Sequence, residues 1–215
     1  MQCATSLVQD IAGRFSGPLP GKAAQRDMAS PDRIDTLFAP APPDAEEAAV
    51  AVLLRPPRGR RVASPPDWSV LLIRRNTYPG VHSGQIAFPG GQREDADKDL
   101  WHTACRETRE EVGIRTEHMR RLGPLTGLYI PVSNFLVHPF AALLDDRATV
   151  RFDPAEVVDG KFVPVRVFDP AQAVMHEFAS ADGTVRSAPA WNCGDYIVWG
   201  ATAMILAELY RLLRP

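Results

Sequence analysis

The chain has 215 residues, is 45% hydrophobic and 23% charged, and carries a formal net charge of −2. That length suits one domain with enough chain to bury a core, the composition is that of an ordinary globular protein, and the near-neutral charge gives no sign of a nucleic-acid-binding surface. No apolar run approaches the roughly 18 residues of a membrane helix, and the first residues lack the basic start and apolar core of a secretory signal, so neither nucleic acid nor a membrane is an expected partner. Cys3, Cys105 and Cys193 have no metal-ligand spacing and are expected to be reduced thiols in the cytoplasm.

In chain order, residues 4–15 are expected to form a short helix. Residues 16–44 are rich in Pro, Gly and Ala without a clear period, so residues 1–44 read as an N-terminal arm and 45–215 as the domain proper. Ala48 to Leu54 is an apolar run of strand length, and Pro56 to Pro66 reads as an exposed loop. Trp68 to Arg75 is a second strand and Gln85 to Phe88 a third, ending in a Pro89-Gly90-Gly91 turn. A helix follows a short loop, with Asp97 as the expected N-cap and Gly113 as the residue past its end, free to take the left-handed conformation. Leu100, Trp101, Ala104 and Cys105 are expected to face the core. Leu122 to Tyr129, Phe135 to Leu144 and Phe162 to Phe168 are strand-like. A helix is expected from Pro170 to about Phe178, and a stronger one from Gly200 to Leu213, where Ala201, Ile205, Leu206, Leu209 and Leu213 recur at helical spacing.

The run Arg106-Glu107-Thr108-Arg109-Glu110-Glu111-Val112-Gly113 carries the chemistry. On a helix Glu107 and Glu111 lie about 40° apart and Glu110 about 60° to the other side of Glu107, so all three share one face. Like charges at these spacings destabilise an isolated helix by roughly 0.2–0.5 kcal/mol per pair. A Glu-rich segment taken alone is most often a solvated face. Here it follows a glycine turn, whose backbone can approach an ion closely, and a hard divalent cation would convert the repulsion into attraction.

The segment Gly91 to Ile114 resembles the signature box of the Nudix hydrolases: a Gly, five residues, Glu, seven residues, then Arg-Glu-apolar-x-Glu-Glu-x-Gly-apolar. Asp97 stands in place of the first Glu, eight residues rather than seven precede Arg106, and Thr108 occupies the aliphatic position, while the Arg-Glu-x-x-Glu-Glu-x-Gly core is intact. These variations resemble the coenzyme A diphosphatase branch. So do Leu71-Leu72-Ile73-Arg74-Arg75, His82-Ser83-Gly84, Phe88-Pro89-Gly90-Gly91 and the distant Tyr196-Ile197-Val198-Trp199-Gly200-Ala201-Thr202-Ala203. Leu19-Pro20-Gly21 with Ala24-Gln25 and Met28 looks like some bacterial members. The upstream motif departs at Gly80, where that branch usually carries a basic residue.

The resemblance implies a Nudix-type α/β/α sandwich with a mixed β-sheet. It implies a Mg²⁺- or Mn²⁺-dependent hydrolase of a nucleoside diphosphate linked to another moiety, with coenzyme A or a derivative first. ADP-ribose, another dinucleotide or a nucleotide sugar, and a non-catalytic nucleotide-binding module, are the alternatives. Glu107, Glu111, Glu110 and the Gly91 backbone are the expected metal ligands. Glu110, Arg106 and Glu107 are the expected catalytic residues, with Arg106 bracing a carboxylate. Arg74, Arg75 and His82 are candidate substrate contacts; the two arginines alternate across their strand, so only one can face a cleft. Glu156 and Glu177 are candidate general bases outside the helix. Trp199 is expected to pack or to stack on a base. The partner is a small-molecule nucleotide, and a homodimer is left open.

Overall fold

The computed structural model describes residues 2–57, 65–77, 83–179 and 183–214. The central strand is β1 (Glu46–Arg55). Its side chains alternate between two cores. Ala49, Ala51 and Leu53 face one side, and Val52 and Leu54 face the other. A strand buried on both faces reads as a continuous apolar run, which is what β1 is. β2 (Ser69–Arg75) repeats the division, with Leu71 and Ile73 on the first side and Val70 and Leu72 on the second.

β1 pairs antiparallel with β2 and with β4 (Gly90–Gln92); β2 also pairs with β3 (Ile86–Ala87) and β8 (Val157–Pro164). On its other edge β1 runs parallel to β7 (Phe135–Leu144), in register from Glu46 opposite Phe135 to Leu54 opposite Leu143. β7 pairs antiparallel with β5 (Met119–Pro124) and β6 (Leu128–Ile130). Helix α4 (Leu100–Val112) packs on the first face through Ala104, Cys105 and Val112, and α5 (Gly200–Leu213) covers the second. The result is the expected α/β/α sandwich with a mixed sheet. A separate three-stranded antiparallel sheet, β9 (Val174–Ala179), β10 (Val185–Cys193) and β11 (Tyr196–Trp199), leads directly into α5.

Several elements differ from expectation. The N-terminal segment has the expected helix, α1 (Gln2–Ser16), but residues 16–44 also hold two short helices, α2 (Gly21–Gln25) and α3 (Pro31–Ile34). Ile11, Phe15, Met28, Ala29 and Leu37 all join the α5 core, so tertiary burial stabilises helices too short to persist alone. Pro170–Gln172 is only a 3-10 turn, and the predicted helix beyond it is strand β9, whose backbone pairs with β10 from Val174 opposite Ala190 onward. Phe162 to Phe168 divides at Pro164, which lacks the N–H needed to continue the ladder, and ends as a 3-10 turn. The β10–β11 hairpin was not anticipated as paired strands.

Leu122 to Tyr129 also divides, into β5 and β6. Thr126 lies in the break and turns its backbone N–H and Oγ1 toward Glu208 of α5, the hydroxyl at 2.7 Å. Glu208 is 0% exposed and also accepts from Gly21 N (3.3 Å) and Gln25 Nε2 (2.9 Å). One buried carboxylate thus joins the arm, the β5–β6 connection and α5. Glu208→Ala is expected to lower stability by about 2–4 kcal/mol, since buried donors lose their acceptor. Denaturant unfolding checks this; a change under about 0.5 kcal/mol contradicts the clamp.

Candidate active site

α4 begins at Asp99, not at Asp97. The Asp99 carboxylate accepts from His102 N at 2.7 Å and forms the cap. The helix ends at Gly113, with φ of 68° and its N–H bonded to Arg109 O, as anticipated. Asp97 is instead drawn inward by Arg106. Arg106 Nε donates to Asp97 Oδ1 at 3.2 Å and its Nη2 to Oδ2 at 3.1 Å, while the Glu94 backbone N–H donates to Oδ2 at 3.0 Å. These bonds, Arg106 foremost, hold the buried Asp97 carboxyl far below its usual range. A shorter Asp in the box therefore serves as the anchor for the box arginine.

The rest of the guanidinium faces the glutamates. Arg106 Nη1 donates to Glu107 Oε1 at 2.7 Å and Glu110 Oε2 at 3.2 Å, and Nη2 donates to the Gln92 carbonyl at 2.9 Å. Arg106 thus contacts two carboxylates of α4 as well as strand β4. Glu110 remains largely exposed.

Glu111 points the other way along the same face and is 1% exposed. Its Oε2 accepts from Gly90 N at 2.8 Å, and its Oε1 lies 3.4 Å from Arg75. Burial pushes its pKa up to about 7, against the opposing pull of Arg75 and the Gly90 N–H. Glu107 is also raised, chiefly by desolvation. The negative charge of Glu156, just before β8, adds to the rise of both. Glu177, by contrast, sits on β9 opposite Ser187 in the other sheet.

Glu107 lies against Gly91 so closely that a Cβ there would stand 2.5 Å from its Oε1. Only glycine lets the backbone of β4 meet that carboxylate. The three glutamates share the helix face but are separated by their partners: among the described residues no group of three or more His, Cys, Asp and Glu side chains forms a ready metal-binding cluster. Glu111 is turned onto Gly90 and Arg75, and Glu110 outward onto Arg106. Carboxylates on one helix face beside glycine backbone are nonetheless the oxygen-donor chemistry a hard divalent cation requires, the ion having to compensate the desolvation that raises the pKa of Glu107 and Glu111.

Arg75 is the strand arginine at this site; it also donates to the Gly90 carbonyl at 3.3 Å. Arg74 lies on the other side of β2, paired with Asp159 and Asp195 and over the Tyr196 ring. His82 lies outside the described residues. Cys105 is buried in the α4 core, its thiol pushed up to about 11 by burial, and Trp101 packs edge-on to Phe140.

A cleft of about 1300 Å³ opens from this end of the sheet. Arg75 and Gly90 to Gln92 line it, as do Ser30, Asp32, Arg33 and Thr36 of the arm, the β6–β7 turn, and Phe178, Trp199 and the first turn of α5. The Phe178 and Trp199 rings lie 4.2 Å apart at 31°. Thr202 Oγ1 donates to the Ile86 carbonyl at 2.9 Å, fixing α5 against β3. The sequence reading missed the arm residues entirely, because nothing in 16–44 has a periodicity that marks a cavity wall. Trp199 was found only through its Gly-Ala-Thr-Ala context.

An Arg-braced acidic helix is thus set against a glycine strand in an α/β/α sandwich, beside an open cleft. A NUDIX domain model matches residues 45–185, and the chain belongs to the Nudix hydrolase family. It is 32% identical over 144 residues to the Nudix hydrolase NudL of Photorhabdus laumondii, covering 67% of this chain and 76% of NudL. It is 32% identical over 145 residues to the human mitochondrial coenzyme A diphosphatase NUDT8, covering 66% of this chain and 61% of that protein. The crystal structure of a MutT/nudix family protein from Enterococcus faecalis aligns with a TM-score of 0.50 at 16% identity, covering 89% of this chain and 73% of that one. Among the described residues no helix is long and apolar enough to cross a membrane.

Two outcomes follow from the geometry. Asp97→Asn is expected to cost about 2–4 kcal/mol near neutral pH, because it removes the charge facing a mostly buried guanidinium. The folded-state pKa of Asp97 is depressed. Its stabilisation is therefore present above its ordinary pKa and disappears as pH falls through the folded value. Unfolding of both proteins at pH 7 and at stepwise lower pH should show the gap narrowing progressively once pH falls below the ordinary Asp range; a constant gap argues against the ion pair. Gly91→Ala is expected to reduce turnover by at least about tenfold with a smaller effect on melting temperature, by displacing Glu107.

Proposed function

We propose that this protein hydrolyses the diphosphate of a nucleotide joined to a second moiety, with coenzyme A or a derivative as the preferred substrate. The observation that carries the proposal is the acidic face of α4, braced by Arg106 and packed against Gly90 and Gly91, the strand glycines that line a cleft large enough for a whole dinucleotide-sized molecule. Similarity to a coenzyme A diphosphatase over two thirds of the chain supports the choice of substrate.

Diphosphate cleavage asks mainly for positioning and charge neutralisation. Glu107, Glu110, Glu111 and the Gly91 carbonyl would hold Mg²⁺ or Mn²⁺, which shields the phosphates and lowers the pKa of water. Arg106 keeps Glu107 and Glu110 in fixed orientations, so little reorganisation is needed when substrate arrives. The Gly90 N–H and Arg75 orient Glu111 in the same way. Arg75 is also the cation at this end of the cleft and is suited to a phosphate oxygen. Glu110, the most exposed of the three, and Glu156, whose charge reaches Glu107 and Glu111, are the groups suited to accept a proton from attacking water. From coenzyme A the products are adenosine 3′,5′-bisphosphate and 4′-phosphopantetheine.

Glu111→Gln is expected to lower kcat by at least about a thousandfold with the fold retained, since it removes charge while keeping shape. Near-wild-type turnover at saturating metal contradicts the role given to Glu111. Substrate choice is tested by assaying coenzyme A, ADP-ribose and dinucleoside polyphosphates in parallel with Mg²⁺ and Mn²⁺. Highest kcat/KM on coenzyme A is expected. Preference for ADP-ribose reassigns the substrate, and binding without turnover of any of them indicates a non-catalytic module.

A further inference from the structure

Among the described residues four charged ones line the cleft: Asp32, Arg33, Arg75 and Arg186. Arg75 stands at the end occupied by the box. The other three form a second polar wall, built from α3 of the arm and from β10. Asp32 is engaged there by Arg186 at 2.9 Å. Arg33 is half-buried, and its Nη2 donates to the backbone carbonyl of Tyr129 on β6. It makes no ion pair within 4 Å with any acid among the described residues. A guanidinium usually meets desolvation with a carboxylate or a bound anion. Here burial pushes its pKa below the ordinary arginine value, with Asp32 opposing the fall only through space.

Arg33 is also held in place. Gly21 and Gln25, a few residues earlier, are tied to the buried Glu208, and Met28 and Ala29 are buried in the α5 core. The arm at Arg33 is thus a fixed part of the cleft wall, and the guanidinium is held there by the Tyr129 carbonyl. It lies outside the residues matched by the family model, which begin at 45.

We infer that Arg33 is a specificity residue that binds an anionic group of the substrate separate from the diphosphate, of the kind presented by a ribose phosphate. The cleft then has two cationic stations, Arg75 for the diphosphate and Arg33 for the remote phosphate, with the Phe178–Trp199 rings also on its wall. This deepens the coenzyme A reading and rests on it, since coenzyme A carries a phosphate on its ribose 3′ position and ADP-ribose and dephospho-coenzyme A do not.

The test is calorimetric and needs no turnover. The affinity of the full-length protein for adenosine 3′,5′-bisphosphate is compared with that for AMP, in the wild type and in Arg33→Gln. The wild type is expected to prefer the bisphosphate by at least about tenfold, the effect of one charge-assisted contact. Arg33→Gln should reduce that preference to within about twofold while leaving AMP binding unchanged. A wild type that binds both nucleotides equally, or a variant that keeps the preference, overturns the inference. Should Arg33→Gln fail to fold, Asp32→Asn carries the test in the opposite direction. Removing the negative neighbour should increase the bisphosphate preference, and no increase overturns the inference. Coenzyme A and dephospho-coenzyme A are assayed alongside. If neither is cut but the binding preference holds, the hydrolytic reading fails and the Arg33 site stands. If both are cut and the wild type binds the two nucleotides equally, the reverse is true.

Discussion

The Arg106 guanidinium is the interaction on which the candidate site depends. It reaches Asp97 on the loop before α4, Glu107 and Glu110 on the helix itself, and the Gln92 carbonyl on β4. Without a cation there, a helix face carrying Glu107, Glu110 and Glu111 would repel itself, and burial would worsen the repulsion as the local dielectric falls. The planar, five-donor geometry of arginine allows one side chain to satisfy acceptors from three segments at once, which a lysine point charge cannot do. Asp97 makes that arrangement stable: it is buried against Arg106 and so fixes where the guanidinium stands before any substrate or metal is bound.

The opposite partition of Glu110 and Glu111 follows from the same frame. Glu111 is one residue further round α4 and falls on Gly90, where the strand offers a free N–H and Arg75 offers charge. Burial raises its pKa, so a cation held there, as proposed, would have to displace a proton. Gly90 and Gly91 make both contacts possible. A Cβ at 90 would collide with the Ala49 carbonyl at 2.4 Å, and one at 91 with Glu107 at 2.5 Å.

The cleft is a composite. One wall is the sheet end with Arg75 and Gly90 to Gln92, another is the β9–β11 sheet and the start of α5, and a third is the N-terminal arm. The arm is held by a buried polar cluster around Glu208 rather than by apolar packing alone. Such a cluster, fully bonded at Glu208, specifies one docking geometry where an apolar contact would tolerate several. The residues that shape the far side of the cleft are thus governed by a carboxylate remote from the proposed chemistry.

Local information was enough for whatever depends on local periodicity and spacing. The apolar runs of β1 and β2, the helical spacing of α4 and α5, the left-handed Gly113 stop and the shared face of Glu107, Glu110 and Glu111 all follow from side-chain order along one element, because run length and period 3.6 are read without reference to neighbours. Tertiary structure alone decided the rest. Asp97 and Asp99 are equally good caps by type, and only the pull of Arg106 separates them. Arg74 and Arg75 were expected to diverge, but which one met the box depended on where α4 lay against the sheet. Val174 to Ala179 became a strand because β10 offered it a hydrogen-bonding edge, and the arm became short helices because α5 gave them a surface and Glu208 a partner. Those choices are made by contacts between residues as much as 187 positions apart, and no local pattern carries the energy of a contact that exists only after the chain has folded.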